Sequence, residues 1–389
     1  MMGFTEAVSV TKSFILSSYS DTSVFFKMSK IHEINKIGQS IWLDSISRTM
    51  LQSGYLVEMI EKGVTGLTSN PTIFDKAVSE SDLYDDEIKN SFDAGRNVSE
   101  VFESIAVSDV RSAADLLFDI YKKTQFLDGY VSIEVSPKLA NNSEGTITEA
   151  KRIWASIDRP NIMIKVPGTE EGANAIRTLI GKGINVNVTL LFSVEAYRRS
   201  ANAYLEGLQD YLNSGGTSIS KIASVASFFV SRIDTAIDSK LTETSLKGKA
   251  GVTNARNAYK LFTELFDVSP GGNFNVLSKK GAQFQRPLWA STSVKNPSYP
   301  ETMYVDQLMG PYTVNTVPEN TFFSLLHNAT TADKLTNMEL ERDYLGELTK
   351  RGLSIEKTAD ELLEQGIQAF TDSYNSVLGR ISNKIKEIT

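Results

Sequence analysis

Short apolar runs rich in β-branched residues recur along the chain at 40–46, 63–70, 129–135, 161–166, 185–192, 221–229, 286–293 and, most weakly, 302–308. Between them lie longer stretches with apolar residues at helical spacing, such as the Ala-Ala-Asp-Leu-Leu-Phe-Asp-Ile-Tyr run from Ala113 to Tyr121. Strands that alternate with helices are parallel and joined by right-handed crossovers. About eight such units predict an α/β fold, a single closed (β/α)8 TIM barrel, ahead of an open doubly wound sheet. The stretch 354–389 sets Leu362, Leu363, Ile367, Phe370, Tyr374, Val377, Leu378, Ile381 and Ile385 on one helical face, which predicts a long C-terminal helix packed on the barrel. No repeat, heptad array or low-complexity linker divides the chain, so one domain is expected over 28–389. Residues 1–27 are rich in Ser and Thr but lack a basic start followed by a clean apolar stretch. They read as a disordered leader or a start assigned too early, with Met28 as an alternative start.

Within each run the side chains alternate between faces. Ile162, Ile164 and Val166 oppose Met163 and Lys165; Val131, Ile133 and Val135 oppose Ser132 and Glu134. Val186, Val188 and Leu190 oppose Asn187 and Thr189, and Ile41 and Leu43 oppose Trp42 and Asp44. Thr68 pairs with Asn70, Ser227 with Phe229, and Trp289 with Ser291. In an antiparallel sheet the polar parity would simply be wet. A parallel barrel covers both faces, so the apolar parity packs on the helices and the other points inward. Asp44, Asn70, Glu134, Lys165, Asn187, Thr189, Ser227 and Ser291 are then expected to converge near the C-terminal rim. Buried charges are costly unless paired or functional.

Composition narrows the chemistry. The 389 residues are 41% hydrophobic and 22% charged, enough for a large core. The net charge of −7 argues against general nucleic-acid binding. There are no cysteines and only two histidines, His32 and His327, neither in a metal-binding motif, which excludes thiolate sites and argues against a histidine-based one. Composition leaves a carboxylate-bound magnesium open, and the expectation is no metal and no cofactor. No apolar run approaches the ~20 residues that span a bilayer. A cytoplasmic protein without a membrane partner is the expectation, and a homodimer is left open.

Within the inward set the chemistry sorts itself. A lysine in a tight, partly apolar interior is poorly solvated as an ammonium ion, the general route to a nucleophilic amine at neutral pH. Amines attack ketones to give iminium ions, which act as electron sinks for carbon–carbon cleavage. Lys165 is the candidate nucleophile, and Asp44 and Glu134 are the two inward carboxylates for acid–base work. The structural alternative is a lysine buried only as the ion-pair partner of Glu134.

Four blocks resemble the transaldolase family. They are Gly66-Leu67-Thr68-Ser69-Asn70-Pro71-Thr72-Ile73-Phe74, then Ile162-Met163-Ile164-Lys165-Val166-Pro167-Gly168-Thr169 with Glu171-Gly172, then Asn185-Val186-Asn187-Val188-Thr189-Leu190-Leu191-Phe192, and last Ala226-Ser227-Phe228-Phe229-Val230-Ser231-Arg232. The resemblance runs from about Gln39 to the C-terminus. It implies a circularly permuted class I aldolase barrel with an extra helix before the first strand. The implied reaction moves a dihydroxyacetone unit between sedoheptulose 7-phosphate and glyceraldehyde 3-phosphate, through a Schiff base on Lys165. By the same resemblance Asp44 moves the proton during cleavage, and Glu134 with Thr189 holds the water that shuttles protons. Asn70, Asn187, Ser227 and Phe229 would bind the enclosed substrate, with Thr68 in support. Arg232, Ser291 and Lys295 would bind the terminal phosphate. The run Ser291-Thr292-Ser293-Val294-Lys295-Asn296 departs from shorter members, which carry an arginine just after the serine. Two other readings are a fructose-6-phosphate aldolase-like lyase and a non-catalytic phosphosugar-binding protein. Glu134 and Phe229 argue against the lyase, whose members carry glutamine and tyrosine there.

Overall fold

The computed structural model describes residues 28–339 and 342–388, so the leader expected at 1–27 lies outside the described residues. Eight strands form a closed barrel: β1 Gln39–Asp44, β2 Val64–Thr68, β3 Val131–Glu134, β4 Ile162–Pro167, β5 Val186–Leu191, β6 Ser224–Phe229, β7 Gln285–Ala290 and β8 Thr313–Val317. Each pairs in parallel with the next, and β8 pairs in parallel with β1. The expected TIM barrel is therefore present. The helix Lys30–Ile37 precedes β1, opened by the Ser29 hydroxyl accepting the His32 N–H and closed by Gly38 at φ 104°. Longer helices such as Val98–Lys123, Ser143–Ile157, Val194–Asn213 and Ala250–Leu265 cover the outside. Among the described residues no helix is long and apolar enough to cross a membrane.

The eighth strand is not where its pattern was sought. The run 302–308 contains the helix Met303–Gln307, and the strand is Thr313–Val317. Buried Tyr304, Val305, Leu308 and Met309 have helical rather than alternating spacing, and the Thr302 hydroxyl bonds Asp306 at 2.7 Å. Thr-Val-Asn-Thr-Val carries the β-branched signal that belongs to the strand.

Parity holds in the lower barrel and breaks at two strand ends. Trp289, expected inward, packs outward, edge-on to Phe228 at 6.3 Å, with its indole N–H on Leu308 O at 2.9 Å. Arg286 and Leu288 hold the interior positions of β7 instead. Ser291 reaches the rim because its φ of 53° turns the chain as β7 ends. Leu190, expected outward, has φ 59° beside a register shift between β5 and β6, and it joins the inner cluster with Phe192 and Phe229.

The barrel floor is a buried polar plug. The Trp42 indole N–H donates to Asp128 Oδ1 at 2.6 Å, and Ser40 donates to the other oxygen of the same carboxylate. Arg286 lies 3.7 Å from Asp128 and donates to Ser40 Oγ at 2.6 Å, Thr313 O at 2.7 Å and Leu127 O at 3.0 Å. Over the mouth runs the 34-residue helix Ile355–Ile388. Its ends bury Ile355, Leu362, Val377, Ile381 and Ile385, while Ile367, Phe370 and Tyr374 in its middle are only partly covered. Thr72 donates to Ser373 at 2.8 Å, and Asp75 accepts from Ser376 at 2.9 Å and from Arg380, which ties this helix to Pro71–Ser79.

Gly66 leaves room for the plug, since a Cβ there would lie 2.5 Å from the Trp42 ring. Gly66→Ala must displace the indole from Asp128. It is expected to lower stability by about 1–3 kcal/mol in urea unfolding. A loss below ~0.5 kcal/mol, the scale of an ordinary surface substitution, would show the ring free to move aside.

Candidate active site

The C-terminal strand ends open into a cleft of about 1300 Å³, part of it continuous with solvent. Lys165 sits in its wall, only 6% exposed, and donates from Nζ to Glu134 Oε1 and to Ser69 O, both at 2.8 Å. The β3–β4 register sets Glu134 directly beside Lys165. Ser69, just past β2, is fixed by its own hydroxyl on Ser132 O at 2.7 Å. The next pairing places Thr189 on β5 beside Pro167, and the Thr189 hydroxyl is buried with no hydrogen-bond partner among the described residues. Such a group normally calls for an exogenous partner, most simply a water. Glu134, Lys165 and Thr189 share a narrow extension of the cleft with Leu190, Ile367 and Phe370.

Across the cleft, the β1–β2 register sets Asp44 beside Thr68. The Thr68 hydroxyl bonds Asp44 Oδ1 at 2.7 Å and the Thr316 hydroxyl at 2.6 Å. One level down, the Asn187 amide donates to Ser132 Oγ at 2.9 Å and accepts from Ser227 Oγ at 2.6 Å. Asn187 therefore orients Ser227, which lines the cleft, and does not line it itself. Asn70 lines the cleft while its side-chain Oδ1 caps the helix Pro71–Ser79 by accepting from Ile73 N at 3.1 Å.

The far end of the cleft collects cations and hydroxyls. Arg232, in the first turn of the helix Ser231–Asp238, has its guanidinium carbon 5.6 Å from the Phe229 ring centre. It has no ion-pair or hydrogen-bond partner among the described residues, and its burial pushes the guanidinium pKa down. The hydroxyls of Ser231 and Ser291 lie 3.0 Å apart, and Lys295 on the following loop donates to Ser293 at 2.8 Å. An unpaired guanidinium beside hydroxyls and an exposed ammonium suits an anion such as a phosphate.

Of the residues picked out in the sequence, Asp44, Thr68, Asn70, Lys165, Thr189, Ser227, Phe229, Arg232, Ser291 and Lys295 line the one cleft. Glu134 joins them through its bond to Lys165. Sequence reasoning missed Thr316, hidden by the misplaced eighth strand, and Phe370, which the C-terminal helix brings over the mouth. Among the described residues no group of three or more His, Cys, Asp or Glu side chains could hold a metal ion.

Two carboxylates face one amine here. Burial pushes the Asp44 carboxyl up, with Lys165 and the Thr68 hydroxyl opposing. Burial also pushes Glu134 up; Lys165 opposes and the nearby charge of Asp44 adds to the rise. Both shifts favour the protonated form, the direction in which a carboxyl becomes suited to acid–base work. A carboxyl raised in the folded state binds its proton more tightly there than in the unfolded chain. Its ionisation costs no stability below the ordinary carboxylate range, and the cost develops as pH rises through the raised value. Asp44→Asn is therefore expected to raise Tm above wild type at pH 8, with the gap closing towards pH 4. A gap that is independent of pH would overturn this account.

The profile of the Transaldolase/Fructose-6-phosphate aldolase family matches residues 41–381. A transaldolase of Trichodesmium erythraeum is 42% identical over 375 residues, covering 92% of this chain and 98% of that protein. A transaldolase of Thermobifida fusca is 41% identical over 366 residues, with coverages of 92% and 98%. One of Mycobacterium bovis is 43% identical over 357 residues, covering 89% and 94%. The match runs from β1 into the helix over the mouth and takes in every residue of the cleft, so the chain belongs to the transaldolase/fructose-6-phosphate aldolase family.

Proposed function

We propose that this chain is a transaldolase that moves a dihydroxyacetone unit from sedoheptulose 7-phosphate to glyceraldehyde 3-phosphate, giving erythrose 4-phosphate and fructose 6-phosphate. The observation that carries the reading is Lys165, held at 2.8 Å by Glu134 beside the unpartnered Thr189 hydroxyl, with Asp44 across the same cleft. In this scheme the Lys165 amine attacks the substrate ketone at C2. Glu134, through a water held with Thr189, protonates the carbinolamine hydroxyl, which leaves as water and gives the iminium ion. The Asp44 carboxylate takes the proton of the C4 hydroxyl as the C3–C4 bond breaks. The bonding pair moves to the iminium, leaving an enamine on Lys165 and free erythrose 4-phosphate. The enamine carbon then attacks the aldehyde of glyceraldehyde 3-phosphate, Asp44 returns its proton to the new hydroxyl, and hydrolysis releases fructose 6-phosphate. Asn70, Ser227 and Phe229 contact the enclosed part of the substrate, and Asn187 holds Ser227. Arg232, Ser291 and Lys295 take the terminal phosphate. A cytoplasmic location fits substrates whose phosphates keep them from crossing membranes.

Borohydride added with fructose 6-phosphate is expected to trap an adduct on Lys165 by peptide mass, absent in Lys165→Ala. No adduct, or one that survives the substitution, would sink the reading. Fast release of dihydroxyacetone from fructose 6-phosphate without an acceptor would replace it with the lyase.

Arg232→Ala is expected to raise KM for glyceraldehyde 3-phosphate roughly 10- to 100-fold, the equivalent of losing a charge-assisted bond of ~1.5–3 kcal/mol. Unphosphorylated glyceraldehyde should be used as well as by wild type. Equal losses with both aldehydes would remove Arg232 from the phosphate end.

A further inference from the structure

The hydroxyls of Thr68 and Thr316 form a chain that ends on Asp44. Thr68 Oγ1 lies 2.7 Å from Asp44 Oδ1 and 2.6 Å from Thr316 Oγ1. Each hydroxyl has one proton. When Asp44 is ionised it can only accept, so the Thr68 proton is committed to it, and the second contact is satisfied only if Thr316 donates to Thr68. Both threonines are nearly closed to solvent, at 2% and 6% exposure, so each hydroxyl depends mainly on the other as its partner. The reach from β2 to β8 passes over β1, where Trp42 is the register partner of both Gly66 and Thr316. The indole over Gly66 forms the floor under this chain. Asp44 Oδ2 accepts no hydrogen bond from the described residues and is left for a substrate hydroxyl.

We infer that Thr316 is a positioning residue for carbon–carbon cleavage: by donating to Thr68 it fixes the direction of the Thr68 hydroxyl, and so holds Asp44 ionised and aimed at the substrate. The inference rests on the transaldolase reading and adds a residue from β8 to it. It assigns the two proton tasks to separate groups. Glu134 and Thr189 serve Schiff-base formation, and the β1–β2–β8 hydroxyl chain serves cleavage. The charged groups acting on Asp44 are Lys165 from β4 and Glu134 from β3. Arg232 and Lys295 line the same cleft, while β2 and β8 carry no ionisable residue. Loss of the donated bond should therefore show in the acid limb of the cleavage profile. That limb reports the fraction of Asp44 ionised, and the Thr68 bond favours the ionised form.

The test compares Thr316→Val, Thr316→Ser and Thr68→Val with wild type, each checked by thermal unfolding. Thr316→Val is expected to lower kcat roughly two- to tenfold, as for one lost hydrogen bond, and to move the acid limb of kcat/KM to higher pH. Its borohydride trapping rate with fructose 6-phosphate should stay at the wild-type value, and Thr316→Ser should restore both rate and limb. In a Thr68→Val background, adding Thr316→Val should cost nothing further. A Val variant with wild-type kcat and acid limb overturns the inference, and so does a Ser variant as damaged as Val or an additive double variant. Should the Val variant not fold, Thr316→Ala is read against the same expectations. Wild type that traps no adduct defeats the transaldolase reading itself, whereas wild type that traps normally beside an unaffected Val variant defeats only this inference.

Discussion

An ammonium ion enclosed in a parallel barrel must be matched by something, and here Glu134 matches it across a single strand pair at 2.8 Å. Removing either partner would strand the other's charge away from water, a penalty larger than the net worth of the pair. The β3–β4 register that sets the two side by side is therefore the constraint on which the rest of the rim is arranged. Ser69 lends a carbonyl so that the amine is doubly held, and Thr189 is spaced one pairing further along with its hydroxyl uncommitted. The interior has two polar strata with opposite logic. In the floor, Asp128 and Arg286 are opposite charges whose bonds close on protein groups, apart from Arg286 Nε, which has no hydrogen-bond partner among the described residues. At the rim one amine faces two carboxylates, and the Arg232 guanidinium has no counter-ion among the described residues. Imbalance of that kind is unfavourable for folding and is what a reacting, phosphorylated substrate can resolve.

Local charge, not net charge, governs the far end of the cleft. The chain as a whole carries −7, yet Arg232 and Lys295 converge on one side of an enclosed opening. Low-dielectric walls focus that field, so an acidic protein still offers an anion a favourable approach. Phe229 under the Arg232 guanidinium holds the planar group without neutralising it.

Much of this is legible in the sequence, because period-two alternation in a parallel sheet leaves only two faces to choose between. Lys165, Glu134, Asp44, Thr189 and Ser227 all fell on the inner parity by that rule alone. It failed where the backbone stops being a strand. Leu190 has a positive φ that turns its side chain to the face that alternation denies it, whereas Ser291 reaches its expected place at the rim through a positive φ of its own. Trp289 was misassigned because its expected partner was Ser291, a residue already past the end of β7. The sequence conceals Thr316 because an apolar helical turn, Met303–Gln307, imitates the eighth strand. Phe370 could be placed on a helical face by periodicity, but where that helix crosses the barrel depends on ties such as Asp75 to Ser376, some 301 residues apart in sequence. Contacts of that span leave no local trace in a single chain.

The helix over the mouth also has a meaning for how the molecule is made. All eight strands precede it, so a chain emerging from the ribosome can close the barrel before residues 355–388 exist as folded structure. Until that segment docks on Pro71–Ser79, the lysine and its two carboxylates stand open to water on one side. The part that dries the reacting groups is thus translated after all eight strands, and a chain cut short before it would carry every proton-handling residue in an unfinished, wet site.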